Sequence, residues 1–145
     1  MILLKTILLS FWIYPALELS SFSDTQVKLV VEVENIKHTT GQPLRLAIER
    51  KEGFLSDNKP FDYAIVDAVD GKISYSFSLP KGDYAISVYH DLNGNEKLDK
   101  NFFGAPVEPY GFSRNFKPLL RAPRFDEVKI SLNQDRKINI LLLHP

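Results

Sequence analysis

Apolar and polar residues alternate with a period of two through much of the chain. From Gln26 to Glu34, Val27, Leu29, Val31 and Val33 are separated by Lys28, Val30, Glu32 and Glu34, which puts one set of side chains on the buried face of a strand. Leu44, Leu46 and Ile48 alternate with Arg45, Ala47 and Glu49 in a second strand, after a turn rich in Thr39, Thr40, Gly41 and Pro43. Phe61 to Val69 is apolar and β-branched enough for a third. Asp70-Gly71 then offers the two-residue turn whose positive φ angles suit a hairpin. Ile73, Tyr75, Phe77 and Leu79 alternate with Lys72, Ser74, Ser76 and Ser78 in the cleanest pattern of all, and Pro80-Lys81-Gly82-Asp83 turns the chain back. Tyr84, Ile86, Val88 and His90 share the next inward face, with Ala85, Ser87, Tyr89 and Asp91 opposite. Val128, Ile130 and Leu132 are predicted to pair, through Asn133 to Arg136, with Ile138, Ile140 and Leu142.

These segments make seven strands. No window shows helical three-and-four spacing over three turns, and no strand alternates with a helix as parallel βαβ units require. The expected class is all-β, a seven-stranded antiparallel sandwich of the immunoglobulin-like or transthyretin-like kind, with a small barrel as the alternative. One segment departs from this economy. Leu92 to Arg124 has little strand pattern and holds four of the nine prolines. Loops of that length in a compact domain tend to be functional or disordered. Phe102, Phe103, Tyr110, Phe112 and Phe116 are too many aromatics for a solvated linker, so they are expected to fold down onto the sandwich.

Composition adds a compartment. Met1 to Ser23 carries an early Lys5, the apolar run Ile7 to Tyr14, and small residues at Ser21 and Ser23, the pattern of a secretory signal. Pro15 and Glu18 break the run short of the roughly 20 residues that span a bilayer. Cleavage would leave 24–145 as a single β-sandwich domain, periplasmic or extracellular, with no stable membrane insertion. The chain has no cysteine, which excludes disulfides and thiolate metal sites. Its 18 basic and 18 acidic side chains balance, which argues against a nucleic-acid partner and against a polybasic membrane binder.

The long segment opens with Asp91, Asn93, Asn95 and Asp99 at relative positions one, three, five and nine of a calcium loop, and Lys97 at position seven would offer its backbone carbonyl. Calcium takes six to eight oxygens at roughly 2.3 to 2.6 Å, and alternate Asp and Asn side chains can converge to supply several. Two positions depart from that pattern. Glu96 stands at position six, where a glycine with positive φ is preferred, and Phe102 stands at position twelve in place of a bidentate Glu. Asn101 and Glu108 are candidate extra ligands. With two charged ligands, Ca2+ affinity falls in the weak extracellular class, on the order of 10⁻⁴ to 10⁻³ M. The competing reading is a plain Asn93-Gly94 turn.

Leu79-Pro80-Lys81-Gly82-Asp83-Tyr84-Ala85-Ile86-Ser87-Val88 is followed by His90-Asp91, Asn93, Asn95, Leu98-Asp99, Asn101, Phe103-Gly104, Pro106, Glu108, Tyr110-Gly111-Phe112-Ser113 and Asn115. At this spacing the chain resembles a family of secreted bacterial proteins known only as a domain of unknown function. The resemblance implies export and a sandwich fold, and no chemistry. Family members usually carry Gly where this chain has Glu96, which implies a distorted or weaker loop.

Two other features bear on function. His90 beside Asp91 suggests acid–base chemistry, the basis of an alternative reading as a small cell-envelope hydrolase using the loop carboxylates with His90. Adjacent strand residues point to opposite faces, however, so the two do not pair without a bulge. No nucleophile elbow, phosphate loop or zincin motif is present. Arg114, Lys117, Arg121 and Arg124 form a cationic stretch that suits an anionic envelope polysaccharide, or simply solvent. The sequence therefore favours a secreted accessory or binding protein with an envelope protein or polysaccharide partner over an enzyme.

Overall fold

The computed structural model describes residues 25–37, 41–56 and 58–145. The proposed signal segment Met1–Ser23 lies outside these, as do Thr39 and Thr40 of the first turn. Eight strands form in chain order: β1 (Gln26–Ile36), β2 (Pro43–Glu49), β3 (Asp62–Asp67), β4 (Gly71–Pro80), β5 (Gly82–His90), β6 (Tyr110–Phe112), β7 (Ile130–Leu132) and β8 (Arg136–Leu141). Each of the seven expected segments overlaps one of them. The eighth, β6, spans three residues inside the long segment. It is too short to leave an alternation, and Gly111 at its centre removes the remaining signal.

The strands divide between two sheets. One has the order β4-β1-β8 and the other β3-β2-β5-β6, with β7 pairing β5 beside β6. Thus the edge of β5 is shared: Ser87 to Tyr89 pair with β6, and Gly82 to Tyr84 pair with β7. Leu29, Val31 and Val33 of β1, Phe77 and Leu79 of β4 and Ile140 of β8 pack in one buried cluster with Leu44, Leu46, Ile48, Tyr84, Ile86, Val88 and Leu132 of the other sheet. The inner faces of both sheets therefore share a core in a sandwich-like arrangement. Each such aliphatic side chain contributes about 1.5–3 kcal/mol of burial.

Three expected hairpins do not form. Asp70-Gly71, Pro80 to Asp83 and Asn133 to Arg136 each carry the chain from one sheet to the other, because β3 pairs β2, β4 pairs β1, β7 pairs β5 and β8 pairs β1. A period-two pattern marks which side chains are buried but is silent on whether consecutive strands lie beside or across from one another. The β1–β8 pairing is also parallel, so the structure is not wholly antiparallel. β1 ends in a bulge at Asn35, whose φ is 63° and whose side-chain amide donates to the Leu142 carbonyl at 2.8 Å.

A second cluster lies on the outer face of β5. Ala85, Phe112, Phe125 and Val128 are buried there with Phe54, Tyr110 and Phe116 against them. Val128 belongs to a single helical turn, α1 (Phe125–Val128), rather than to the strand that follows. Tyr110, Phe112 and Phe116 thus fold down as expected. Phe102 and Phe103 do not, being 97% and 90% exposed.

Glu49 sits on the same outer face with only 7% of its surface exposed. Its carboxylate accepts the Leu55 N–H at 3.0 Å and the Ser87 hydroxyl at 3.2 Å. Burial pushes its pKa up, and these two hydrogen bonds only partly oppose that. A carboxyl with a raised folded pKa binds its proton more tightly when folded. Its contribution is therefore full below the unfolded value and is lost as pH rises through the folded one. Glu49→Gln keeps the shape, and is expected to gain stability relative to the parent between pH 4 and pH 8, as urea midpoints at the two pH values will show.

Candidate functional site

The loop after β5 is built around two buried carboxylates. Asp91 has no exposed surface. It accepts the Arg45 Nε–H at 2.8 Å, the Asn95 N–H at 3.1 Å and the Glu96 N–H at 3.0 Å. Burial alone would raise its pKa. The Arg45 hydrogen bond and the loop N–H groups outweigh that and hold it below the usual carboxylate range. Arg45 reaches it from β2, where its side chain is on the outer face, and also contacts Glu96 at 3.2 Å. On the same face the Tyr89 hydroxyl is pushed up to about 12, chiefly by burial.

Glu108, 3% exposed, closes the far side of the loop. Its two oxygens accept the Leu92 N–H at 2.8 Å and the Asp99 N–H at 3.1 Å. It binds the backbone at both ends of the proposed cation loop and so sets the distance between them. Asn101 belongs to the next turn, where its side-chain oxygen accepts the N–H groups of Phe103 and Ala105, both at 3.0 Å.

Between these anchors the polar side chains converge. The Asp99 carboxylate accepts the Asn93 amide at 2.6 Å and the Asn95 amide at 2.9 and 3.1 Å. The oxygens of Asn93 and Asn95 in turn accept the N–H groups of Asn95 and Lys97 at 3.0 and 2.9 Å. Asp91, Asn93, Asn95 and Asp99 are therefore joined in one hydrogen-bonded loop with the Lys97 N–H, the amide nitrogens of Asn93 and Asn95 facing Asp99. Among the described residues no group of three or more His, Asp or Glu side chains is placed to hold a metal ion, so a cation here would rely on two carboxylates, Asx amide oxygens and the Lys97 carbonyl. That donor set suits a hard cation and a weak site, and Arg45 on one oxygen of Asp91 weakens it further.

Position six of the loop carries the conformation a calcium loop asks for despite its side chain. Glu96 has φ of 67°, and Gly94 has φ of 72°. An L-residue is strained by about 1 kcal/mol or more in that region. Glu96→Gly removes the strain and loses only an exposed ion pair, which is worth little. A net gain of about 0.5 kcal/mol is expected, measurable as a higher denaturant midpoint.

His90 faces inward and has no exposed surface. Its Nε2 lies 3.1 Å from the Gln42 carbonyl, and its Nδ1 has no partner among the described residues. Asp91 is committed to Arg45 on the other side of the strand. The pair does not form an acid–base couple, and a general base must reach the proton it moves.

Ser113 and Asn115 stand in the spacing that carries the family resemblance, but their residue types do not foretell the contacts they make. The Ser113 hydroxyl, fully buried, accepts the Ile86 N–H at 3.0 Å and donates to the Val128 carbonyl. Asn115, at φ of 52°, accepts the Leu141 N–H at 2.7 Å and so ties the segment after β6 to β8 in the opposite sheet. Tyr110 and Leu143 exchange backbone bonds at 2.7 and 3.0 Å on the same seam. Of the four cations nearby, Arg121 grips Glu127 through two bonds at 2.7 and 2.8 Å, and holds the Glu127 pKa down to about 2 together with the Arg124 N–H. Arg114 donates to the Asp126 carbonyl at 3.4 Å.

No curated protein and no solved structure matches the chain. The family described as "Uncharacterized protein conserved in bacteria (DUF2141)" matches residues 31–139, from within β1 to within β8 and including the whole loop. With well over half of its length matched, the chain belongs to this family of uncharacterized bacterial proteins.

Proposed function

We propose that the protein is a secreted or periplasmic accessory or binding protein without catalytic activity. It is built on an immunoglobulin-like or transthyretin-like sandwich, and its loop from Asp91 to Asp99 takes up calcium weakly. The observation that carries the calcium reading is the gathering of the Asn93 and Asn95 side chains at Asp99, where their amide N–H groups donate to the carboxylate at 2.6–3.1 Å and turning the amides would offer their oxygens beside it. Positive φ at Glu96 supports it. Export rests on the Met1–Ser23 pattern, and the extracellular setting supplies the millimolar calcium that a weak site needs. The hydrolase alternative loses support from the burial of His90 and the commitment of Asp91 to Arg45. Lys117, exposed and in no ion pair among the described residues, keeps an anionic envelope polysaccharide as the preferred partner chemistry.

Calorimetric titration with calcium tests the metal reading. A dissociation constant on the order of 10⁻⁴ to 10⁻³ M is expected, abolished by Asp99→Ala, whose carboxylate is bonded only within the loop, and retained by His90→Gln. The absence of heat at millimolar calcium would overturn the calcium reading. Hydrolysis of an envelope substrate that vanishes in His90→Gln would overturn the non-catalytic one.

A further inference from the structure

The segment from Leu92 to Arg124 holds two pairs of adjacent apolar side chains that the fold leaves uncovered. Phe102 and Phe103 are 97% and 90% exposed, and Leu119 and Leu120 are 92% and 100% exposed. The rings of Phe102 and Phe103 touch only edge to face, with centroids 5.5 Å apart. Their exposure does not come from a loose loop. The Asn101 side chain accepts the N–H groups of Phe103 and Ala105, the Asn101 N–H donates to the Ala105 carbonyl at 2.8 Å, and the Gly104 N–H donates to the Asn101 carbonyl at 2.9 Å. Lys100 and Pro106 bridge below, and the Val107 N–H reaches the Asp99 carbonyl at 2.9 Å. The turn is tied closed on polar groups, and it holds two rings out in water, where folding forgoes their burial.

Charge accompanies both pairs. Lys100, two residues before Phe102, and Lys97 in the preceding loop are exposed, and Lys117 is exposed two residues before Leu119. None of these three ammonium groups is in an ion pair among the described residues. The two loops leave opposite ends of β6, so the combination of an uncovered apolar pair with a free cation occurs twice, at separate places.

The geometry points to a peripheral membrane contact: the Phe102–Phe103 tip enters the interfacial layer of a bilayer containing anionic lipid, with Lys97 and Lys100 at the headgroup phosphates and Leu119–Leu120 as a second point of entry. A fluid surface receives convex protrusions without a matching groove, and apolar insertion adds to attraction between cations and anionic headgroups. Among the described residues no helix is long and apolar enough to cross a membrane, so the contact rests on these loops. The net charge of zero is no obstacle, because screening confines the attraction to within about 8–10 Å of each lysine. The proposal does not depend on calcium.

The test uses residues 24–145, which contain every described strand and both buried clusters and omit Trp12, the only tryptophan in the chain. Cosedimentation with phosphatidylcholine vesicles containing roughly a third phosphatidylglycerol is expected, weakening as salt rises. Phe102→Ser with Phe103→Ser should lower the partition coefficient at least about 30-fold with an unchanged melting midpoint. Lys97→Glu with Lys100→Glu should weaken uptake by anionic vesicles and leave any uptake by pure phosphatidylcholine unchanged. In Phe103→Trp, the single indole should shift to the blue on binding and be quenched by lipids brominated high on the acyl chain. Failure to sediment at millimolar lipid would overturn the proposal, as would full binding by the double serine variant. Self-association that the double serine variant loses, without vesicle uptake by the parent, would identify a second copy as the occupant instead.

Discussion

Asp91→Ala is expected to destabilise the protein by roughly 3 kcal/mol. The substitution removes the acceptor for Arg45, Asn95 and Glu96 at once. It leaves the Arg45 guanidinium, whose side chain is 18% exposed, facing an apolar gap. The Glu96 N–H loses its partner as well and the Asn95 N–H keeps only the Asn93 oxygen, so the loop should loosen from β2. Asp91→Asn should also be costly, because it loses the charge opposite Arg45 and its NH2, whichever way the amide turns, faces a donor: Arg45 Nε–H with the Glu96 N–H, or the Asn95 N–H. The pH dependence separates this from a simple packing defect. The Asp91 pKa is depressed in the folded protein, so its contribution is present above the unfolded value near 3.9 and is lost as pH falls through the folded one. The parent should therefore lose its advantage over Asp91→Asn on acidification, whereas a cavity defect would persist at every pH. Urea melts from pH 7 to pH 3 make the comparison.

Gly111→Ala should be comparably damaging for a different reason. A Cβ at this position would lie 2.6 Å from Ile140 Cγ2 and 3.1 Å from the Leu141 carbonyl. β6 could not approach β8, and the seam held by Asn115 and by the Tyr110–Leu143 bridge would open. Overpacking of this kind costs about 1–3 kcal/mol, and a backbone neighbour that cannot rotate away places the expected loss near the upper end. Removing the obstructing methyl provides the control. In an Ile140→Ala background the same glycine substitution should cost at least about 1 kcal/mol less, measured as a double-mutant cycle by chemical denaturation. Equal costs in both backgrounds would show that the close approach is not what glycine serves.

How far the sequence foretells this arrangement depends on the range of the interaction. Alternation along β1, β4 and β5 is a local property, so their inward faces can be read directly, down to His90 at the end of the β5 face, except that Tyr75 of β4 stays 38% exposed. The partner of each strand is not local. The Asp70-Gly71 turn looks the same whether it closes a hairpin or steps between sheets, and here Gly71, with φ of 91°, steps. Asp91 is visible as the first residue of an Asx-rich loop. Arg45, which holds it, lies 46 residues earlier and looks like any polar residue on an outer face. Glu108 could be picked out as an oxygen donor, but its two bonds to the backbone at Leu92 and Asp99 depend on the folded path of the loop. Ser113 and Gly111 serve contacts made by other strands, and residue type alone does not announce that. The misplaced expectation that Phe102 and Phe103 cover the sandwich came from composition, which counts aromatics without regard to the turn that holds them. Asn101, two residues before Phe103, was the legible clue to that turn.

The most direct test of the account is the thermal midpoint of residues 24–145 in chelator and in rising calcium. A ligand that binds only the folded protein stabilises by mass action. At roughly 10 mM calcium a dissociation constant between about 10⁻⁴ and 10⁻³ M gives about 1.4–2.7 kcal/mol. The predicted result is a midpoint several degrees higher in calcium than in chelator, a shift that Asp99→Ala loses and Glu96→Gly keeps. A midpoint that stays the same from chelator to 10 mM calcium would contradict the claim that Asp91 to Asp99 is a cation loop.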